Sequence, residues 1–309
     1  MLVFGGSSSG RLTARICASL GVSPGQNETI TFADGNTFVR ILENARGKDA
    51  YIVQTTVFPA NDSFMELLFY VDALKRASAK SVTAVIPYFS YAKGDKKDEP
   101  RVSIRARVCA DALQVAGIDR VVTIDLHAPQ IQGFFSVPVD NLTALPLLAA
   151  RVQQEQLKDM VIVAADTGIA KEARRFAACL GVPVAIADKM RRNHDDSAEV
   201  FGVLGEVSNR TAVIVDDFAI SCKTLVGTAE ELLGMGARAV YAAITHGVFA
   251  AEAMPLLDGS KITKLFATDT IETQPAPLSK KIELVSVGPL LGEVIKRIHN
   301  GESVSTMFD

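Results

Sequence analysis

Six short runs along the chain are built almost wholly from aliphatic and β-branched residues: AYIVQTTV (50–57), SVTAVIPY (81–88), RVVTIDLH (120–127), MVIVAAD (160–166), TAVIVDD (211–217) and RAVYAAITH (238–246). A strand without polar alternation is apolar on both faces and must be covered on both, as in a parallel sheet between layers of helices. The stretches that separate the runs have helical spacing. Between the first two, Ser63 and Glu66 stand at capping-box spacing, and Leu67, Leu68, Val71 and Leu74 recur on one helical face, which predicts a helix ending near Lys80. A second helix is predicted after Val102, and a third from about Thr224 to Leu233, ahead of Gly234 and Gly236. The fold class expected from this rhythm is α/β.

At 309 residues, 48% of them hydrophobic, the chain is too long for the usual single domain. Two similar α/β domains are expected, residues 1–142 and 143–299, joined near 138–146. A formal charge of −3 with acids and bases interleaved leaves no broad cationic face, which argues against nucleic acid as a partner. Cys17, Cys109, Cys179 and Cys222 are far apart and form no C-x-x-C pair, so neither a zinc site nor a disulfide framework is expected, and a reduced, cytoplasmic compartment fits. The start, MLVFGGSSSGRL, does not have the pattern of a secretory signal. The apolar run 240–257 is broken by His246 and Glu252 and is shorter than the ~20 residues of a membrane helix, so no membrane association is expected.

The chemistry concentrates where strands end. In VIVDDFAISCKT (213–224) a buried strand delivers Asp216 and Asp217, then a short hydroxyl-bearing turn, then a helix start. Ligands of open α/β sheets bind beyond the carboxyl ends of strands, where the next helix offers N–H groups to an anion. Ser221, Cys222, Lys223 and Thr224 are placed to hold a phosphate through amides, two hydroxyls and an ammonium, with Asp216 and Asp217 toward sugar hydroxyls or their metal. An isolated Asp-Asp more often caps the next helix; the surrounding pattern favours the phosphate reading. In RVVTIDLHAPQIQGFF (120–135), Asp125 and His127 end another strand, and His127 is open to a structural role, a divalent cation or a nucleotide phosphate. Asp166 is a third strand-end acid, of the kind that magnesium takes together with substrate phosphates. ADKMRRN (187–193) crowds Lys189, Arg191 and Arg192 into a predicted loop, either solvated or closing over a polyphosphate. YAKGDKKDEPR (91–101) is a second charged loop with the same two readings, while His194, His246 and His299 are assigned structural roles.

Taken together, FADG (32–35), ENARGKD (43–49), the stretch 61–92, DLHAPQIQGFF (125–135) and VDDF (215–218) resemble the ribose-phosphate pyrophosphokinase (PRPP synthetase) family, in order and over nearly the whole chain. The resemblance implies two phosphoribosyltransferase-type domains, each a mainly parallel sheet flanked by helices, with the C-terminal segment 300–309 packing back on the first. It implies transfer of the β,γ-pyrophosphoryl group of Mg2+-bound ATP to the C1 hydroxyl of ribose 5-phosphate, giving PRPP and AMP, and a homo-oligomer, hexamer or dimer. By the same resemblance Lys189 and Arg191 fall on catalytic-loop positions and His127 and Asp166 on metal or nucleotide positions. Asp216 and Asp217 match ribose-binding acids, and Ser221 and Thr224 match hydroxyls of the 5-phosphate loop. Phe32, Asp34 and Asn36 fall on a segment that a neighbouring subunit brings to the adenine, and Lys93, Asp95, Lys96 and Lys97 on the nucleotide loop.

The departures cluster around the substrates. The family's F-x-D-G-E ends here in Asn36, and its Y-x-R-Q-D reads Tyr91-Ala92-Lys93-Gly94-Asp95, which removes a guanidinium that stacks on adenine. Its D-D-x-x-D-T-x-G-T carries Ile220 for an acid and Lys223 for a glycine, and the glycines after the strand-end acid are reduced to Asp166-Thr167-Gly168-Ile169. Two hypotheses follow: an active diphosphotransferase with altered specificity, in which Lys223 supplies charge to the sugar phosphate, or a nucleotide-binding regulatory subunit of low activity. The retained charged positions favour the first.

Overall fold

The computed structural model describes residues 1–190 and 199–307. The chain divides into two units, one of Met1–Thr143, Thr270–Thr273 and Ser286–Asp309, the other of Ala144–Asp269 and Gln274–Val285.

The first unit begins with β1 (Leu2–Gly5), α1 (Gly10–Leu20), β2 (Asn27–Thr31), β3 (Thr37–Ile41), β4 (Asp49–Val53) and α2 (Ala60–Arg76). It continues with β5 (Ser81–Ile86), α3 (Arg105–Ala116), β6 (Arg120–Ile124) and β7 (Val139–Leu142). Strands β1-β4-β5-β6-β7 form an all-parallel sheet, while β2 and β3 make a separate antiparallel hairpin. Ile52, Val82, Ala84 and Ile86 meet Leu67, Val71, Leu74 and Leu113 in one core, which explains the continuous apolar runs.

Two helix-end expectations are corrected. Residue Pro59, not Ser63, occupies the N-cap of α2, and Ser63 turns its hydroxyl back to Pro59 O at 3.0 Å. Glu66 is buried and accepts hydrogen bonds from Ser7 N–H at 2.9 Å and Gln54 Nε2 at 2.8 Å, so it anchors the Gly/Ser-rich turn after β1 rather than a helix start. The helix stops at Arg76 instead of Lys80, because Ser78 takes a left-handed φ of 62° and Ala79 N–H closes on Leu74 O.

The second unit runs α4 (Leu145–Gln154), β8 (Met160–Ala164), α5 (Ala170–Leu180), β9 (Val184–Met190), β10 (Glu199–Leu204) and β11 (Thr211–Ala219). Then come α6 (Lys223–Gly234), β12 (Ala239–Gly247), α7 (Ala253–Gly259), β13 (Ile262–Thr268) and β14 (Ile282–Val285). Its sheet has the order β10-β9-β8-β11-β12-β13-β14, parallel except for the antiparallel edge strand β10. Two apolar layers cover its faces, one built on Leu225, Ala229 and Leu232, the other on Leu148, Val152 and Phe176.

Helix α8 (Gly288–Asn300) belongs to the first unit. The returning segment therefore starts at Ser286 rather than at residue 300. The physical reason is the fit of α8 on α1: a Cβ at Gly288 would lie 2.8 Å from Arg15 Cβ, and one at Gly292 would strike Ser19 Oγ. Leu291, Val294 and Ile295 are fully buried as a result. Among the described residues no helix is long and apolar enough to cross a membrane.

Candidate active site

Two neighbouring parallel strands of the second unit bring together three of the four acids expected at strand ends, Asp166, Asp216 and Asp217. Ala164 of β8 pairs with Val215 of β11, and Ala165 N–H donates to Val215 O at 3.1 Å, so Asp166 and Asp216 emerge side by side. Strand β11 runs two residues past the expected end at Asp217, to Ala219, with Asp216 opposite Ile244 and Phe218 opposite His246. Burial pushes the Asp216 carboxyl well above the ordinary carboxylate range; the charge and hydrogen bond of Asp217 add to this, and the charge of Asp166 adds further. Carboxylates crowded in this way are relieved by hydroxyl donors or a cation. Asp166 Oδ1 also accepts Gly168 N–H at 2.8 Å and Ile169 N–H at 3.2 Å, so the strand-end acid caps the next turn as well.

Beyond β11 the chain turns through Ile220 and Ser221 into α6. Ala219 O accepts Val248 N–H at 3.0 Å and Phe249 N–H at 3.1 Å, and Ile220 O accepts Ala250 N–H at 2.9 Å, which fixes the turn against the segment after β12. Cys222 holds the left-handed conformation, φ 61°, and is buried; burial pushes its thiol up to about 12. Lys223 is exposed and is the first residue of α6, so a lysine there meets no backbone strain. Thr224 and Ser221 are half-buried beside it, and the first turn of α6 contains no acid. An uncompensated helix N-terminus of this kind suits an anion.

Lys189 lies on β9, opposite Val200 of β10, and not in a loop as the sequence suggested; pairing of the two edge strands extends the ladder through Met190. Arg191 and Arg192, with His194, lie outside the described residues.

In the first unit, β6 ends at Ile124 and Asp125 turns the chain with φ 39°. Asp125 N–H donates to Leu142 O at 2.9 Å, and Leu126 N–H to Asn141 Oδ1 at 3.1 Å. Leu126 is thereby buried and His127 exposed. No sequence motif marks Asn141, whose side chain sits on the short edge strand β7. In the 91–101 loop, Lys93, Lys96 and Lys97 are exposed and Asp95 half-buried, while the Tyr91 hydroxyl bonds Asn61 and its ring lies edge-on to Phe64 at 5.8 Å. Phe32, Asp34 and Asn36 are exposed at the tip of the β2–β3 hairpin, closed by Phe32 N–H to Asn36 O at 2.8 Å and Asn36 N–H to Asp34 Oδ1 at 3.0 Å. Of the residues assigned structural roles, His246 is buried in β12 and His299 bonds Asp49 at 2.8 Å. Among the described residues no three His, Cys, Asp or Glu side chains form a ready metal cage.

Residues 1–117 match the N-terminal domain of ribose phosphate pyrophosphokinase, and residues 196–309 match the phosphoribosyl synthetase-associated domain. Ribose-phosphate pyrophosphokinase of Rhizobium meliloti is 45% identical over 311 residues, covering 100% of both chains. The enzyme of the same name from Oceanobacillus iheyensis is 41% identical, covering 99% of this chain and 96% of the relative. The crystal structure of phosphoribosylpyrophosphate synthetase from Mycobacterium smegmatis superposes with a TM-score of 0.90 at 35% identity, over 97% of this chain and 99% of that one. With its α/β architecture and strand-end acids, and with identity spread over its full length, the chain belongs to the ribose-phosphate pyrophosphokinase family of enzymes.

Proposed function

We propose that the protein transfers the β,γ-pyrophosphoryl group of ATP to the C1 hydroxyl of ribose 5-phosphate. The hydroxyl oxygen forms a bond to the β-phosphorus, the bond from that phosphorus to the oxygen bridging the α-phosphorus breaks, AMP leaves with that oxygen, and the hydroxyl proton passes to solvent. The observation that carries this reading is the set of acids at the ends of β8 and β11, followed by the hydroxyl-bearing turn into α6, in a chain that matches ribose-phosphate pyrophosphokinases from end to end. Asp216 and Asp217 accept from the pentose hydroxyls. Ser221, Cys222, Lys223 and Thr224 receive the 5-phosphate through the α6 N-terminus, two hydroxyls and one ammonium.

On the nucleotide, Lys93, Asp95, Lys96 and Lys97 contact the triphosphate side, and Phe32, Asp34 and Asn36 of a neighbouring copy approach the base. Lys189 and Arg191 stabilise charge on the transferring group, where a cation acts mainly on the transition state. The Asp166 carboxylate fits Mg2+, which takes one or two protein ligands together with phosphates and water and so needs no protein cage. Asp166 in the second unit, and separately His127 in the first, are the side chains that the resemblance matches to metal positions. Bound there, Mg2+ would neutralise phosphate charge; the protein's own share is placement and exclusion of water.

A homo-oligomer, hexamer or dimer, is in keeping with the apolar side chains that the hairpin exposes, Ile30 at 38% and Phe32 at 50%. The protein acts in the cytoplasm, in keeping with four free cysteines. The regulatory-subunit reading is not favoured, since the full-length relatives carry the enzyme's name.

The test is a coupled assay for nucleoside monophosphate release with Mg2+, a panel of nucleoside triphosphates and several pentose phosphates. AMP release that requires ribose 5-phosphate is the expected result. Silence across the panel, with nucleotide still bound, would transfer the case to the regulatory subunit.

A further inference from the structure

Gly94 is a glycine without a conformational reason, since its φ is −99°, a value open to any residue. Its reason is a neighbour. A Cβ built on Gly94 would lie 2.6 Å from Arg105 Nε, 2.9 Å from Arg105 Cβ and 3.3 Å from Arg105 Cζ. The Arg105 side chain therefore lies directly on the backbone of the 91–94 turn, and Ala106 N–H donates to Gly94 O at 3.1 Å to fix the approach. A second observation agrees: the positive charge of Arg105 acts on the Tyr91 hydroxyl, lowering its pKa against the dominant upward effect of burial.

The placement costs stability. Arg105 is the first residue of α3, where the helix end already carries partial positive charge, no acid stands in the first turn and the N-cap side chain makes no bond. Arg105 makes no ion pair with another described residue. An exposed cation at the electrostatically unfavourable end of a helix, accommodated by a glycine, is available to an external partner. Ammonium groups for phosphate are already at hand in Lys96 and Lys97, both exposed on the same loop. A guanidinium held close to the glycine backbone offers something they lack, a planar group that can meet a heteroaromatic ring.

We infer that Arg105 is a specificity-determining residue whose guanidinium stacks on the base of the nucleoside triphosphate. This rests on the assignment of the 93–97 loop to the nucleotide made under Proposed function. It also gives Lys93 and Gly94 a joint meaning, because the guanidinium comes from the helix and the glycine makes room for it.

The experiment is steady-state kinetics of AMP release by wild type, Arg105→Ser, Arg105→Lys and Gly94→Ala, each checked for an unchanged unfolding temperature. Arg105 is exposed and makes no ion pair with another described residue, so serine there keeps the fold. Arg105→Ser is expected to raise KM for ATP about tenfold, with KM for ribose 5-phosphate unchanged and discrimination between purine and pyrimidine triphosphates reduced. Arg105→Lys should fail to restore that discrimination, and Gly94→Ala, by displacing the guanidinium, should shift KM in the same direction. An unchanged KM for ATP in Arg105→Ser overturns the inference, and so does full rescue by lysine with every triphosphate, which would mean a simple phosphate contact. A wild-type protein silent with every triphosphate would sink the assignment of function and the inference with it.

Discussion

Lys223 occupies the first position of α6 and is exposed, and the left-handed residue of the turn is Cys222. A glycine at 223 would let a phosphate approach the backbone closely; a lysine substitutes charge for closeness. A hydrogen bond to a charged group contributes about 1.5–3 kcal/mol, so Lys223→Gly should raise KM for ribose 5-phosphate roughly 10- to 100-fold with KM for ATP unaltered. An unaltered sugar-phosphate KM would show that the ammonium points away from the site. Cys222 in the same turn has the opposite character. Burial pushes its thiol to about 12, and those of Cys17 and Cys109 to about 11, whereas Cys179 is exposed. The thiolate is the reactive form. Titration of the native protein with an aromatic disulfide at pH 8 should therefore show one rapidly reacting thiol, lost in Cys179→Ser; rapid labelling of Cys222 would mean that its turn opens. The acid pair, the hydroxyl turn and His127 were legible because strand ends show directly in the residue pattern. Asn141 and Arg105 were not, because each acts through a contact made only once two distant segments are folded together.

Strand β7 shows what such a contact does at the level of an element. It is a four-residue edge strand, yet its Leu142 O and Asn141 Oδ1 accept the N–H groups of Asp125 and Leu126 and so hold a turn in which Asp125 has a positive φ. A backbone in that region costs about 1–3 kcal/mol unless its surroundings impose it. Asn141→Leu should relax the turn, misplace His127 and lower turnover about 10- to 100-fold, while Asn141→Asp, which keeps the acceptor, should retain most activity. If leucine is as active as asparagine, the turn does not depend on that bond. At the amino end of its strand, β4 makes a comparable tie to α8 through Asp49 and His299. Burial alone would raise Asp49, but hydrogen bonds from Ser81 and His299 and the charge of Lys80 outweigh it and hold the carboxyl below its usual range. A carboxylate depressed in the folded state adds stability above its unfolded pKa of about 3.9. That stability disappears as the pH falls through the lower, folded value. Wild type and Asp49→Asn should therefore differ in unfolding temperature at pH 7 and converge toward pH 2; a constant difference would assign the effect to packing. Elements of this kind set the limit of legibility. The buried parallel strands could be read from their own residues, whereas the β2–β3 hairpin, with no fully buried position and polar residues along both strands, resembles a loop in sequence.

The whole molecule departs most from a linear reading in how the first unit is assembled. Its core is closed by segments that arrive late in the chain. Thr55 Oγ1 donates to Thr270 O at 2.5 Å, and the Glu272 carboxylate accepts Arg11 N–H at 3.0 Å and Leu12 N–H at 2.7 Å, so a short strap caps the N-terminus of α1. Helix α8 then lays Leu291, Val294 and Ile295 into the same unit. Each such side chain stabilises by about 1.5–3 kcal/mol when buried, so the three together give about 5–9 kcal/mol, against a total of about 5–15 for an ordinary domain. No local pattern near residue 142 reveals this debt to residues 270–309. A fragment of residues 1–143 should accordingly lack a dispersed amide NMR spectrum and a cooperative thermal transition. A fragment of residues 144–285, which contains every segment of the second unit, should show both. Adding a peptide of residues 286–309 should recover part of the structure of the first fragment, in proportion to how much of the missing stability comes from α8 and how much from the strap. A folded 1–143 fragment would mean that the sheet and its own three helices already suffice, and that α8 is carried by the unit rather than required by it.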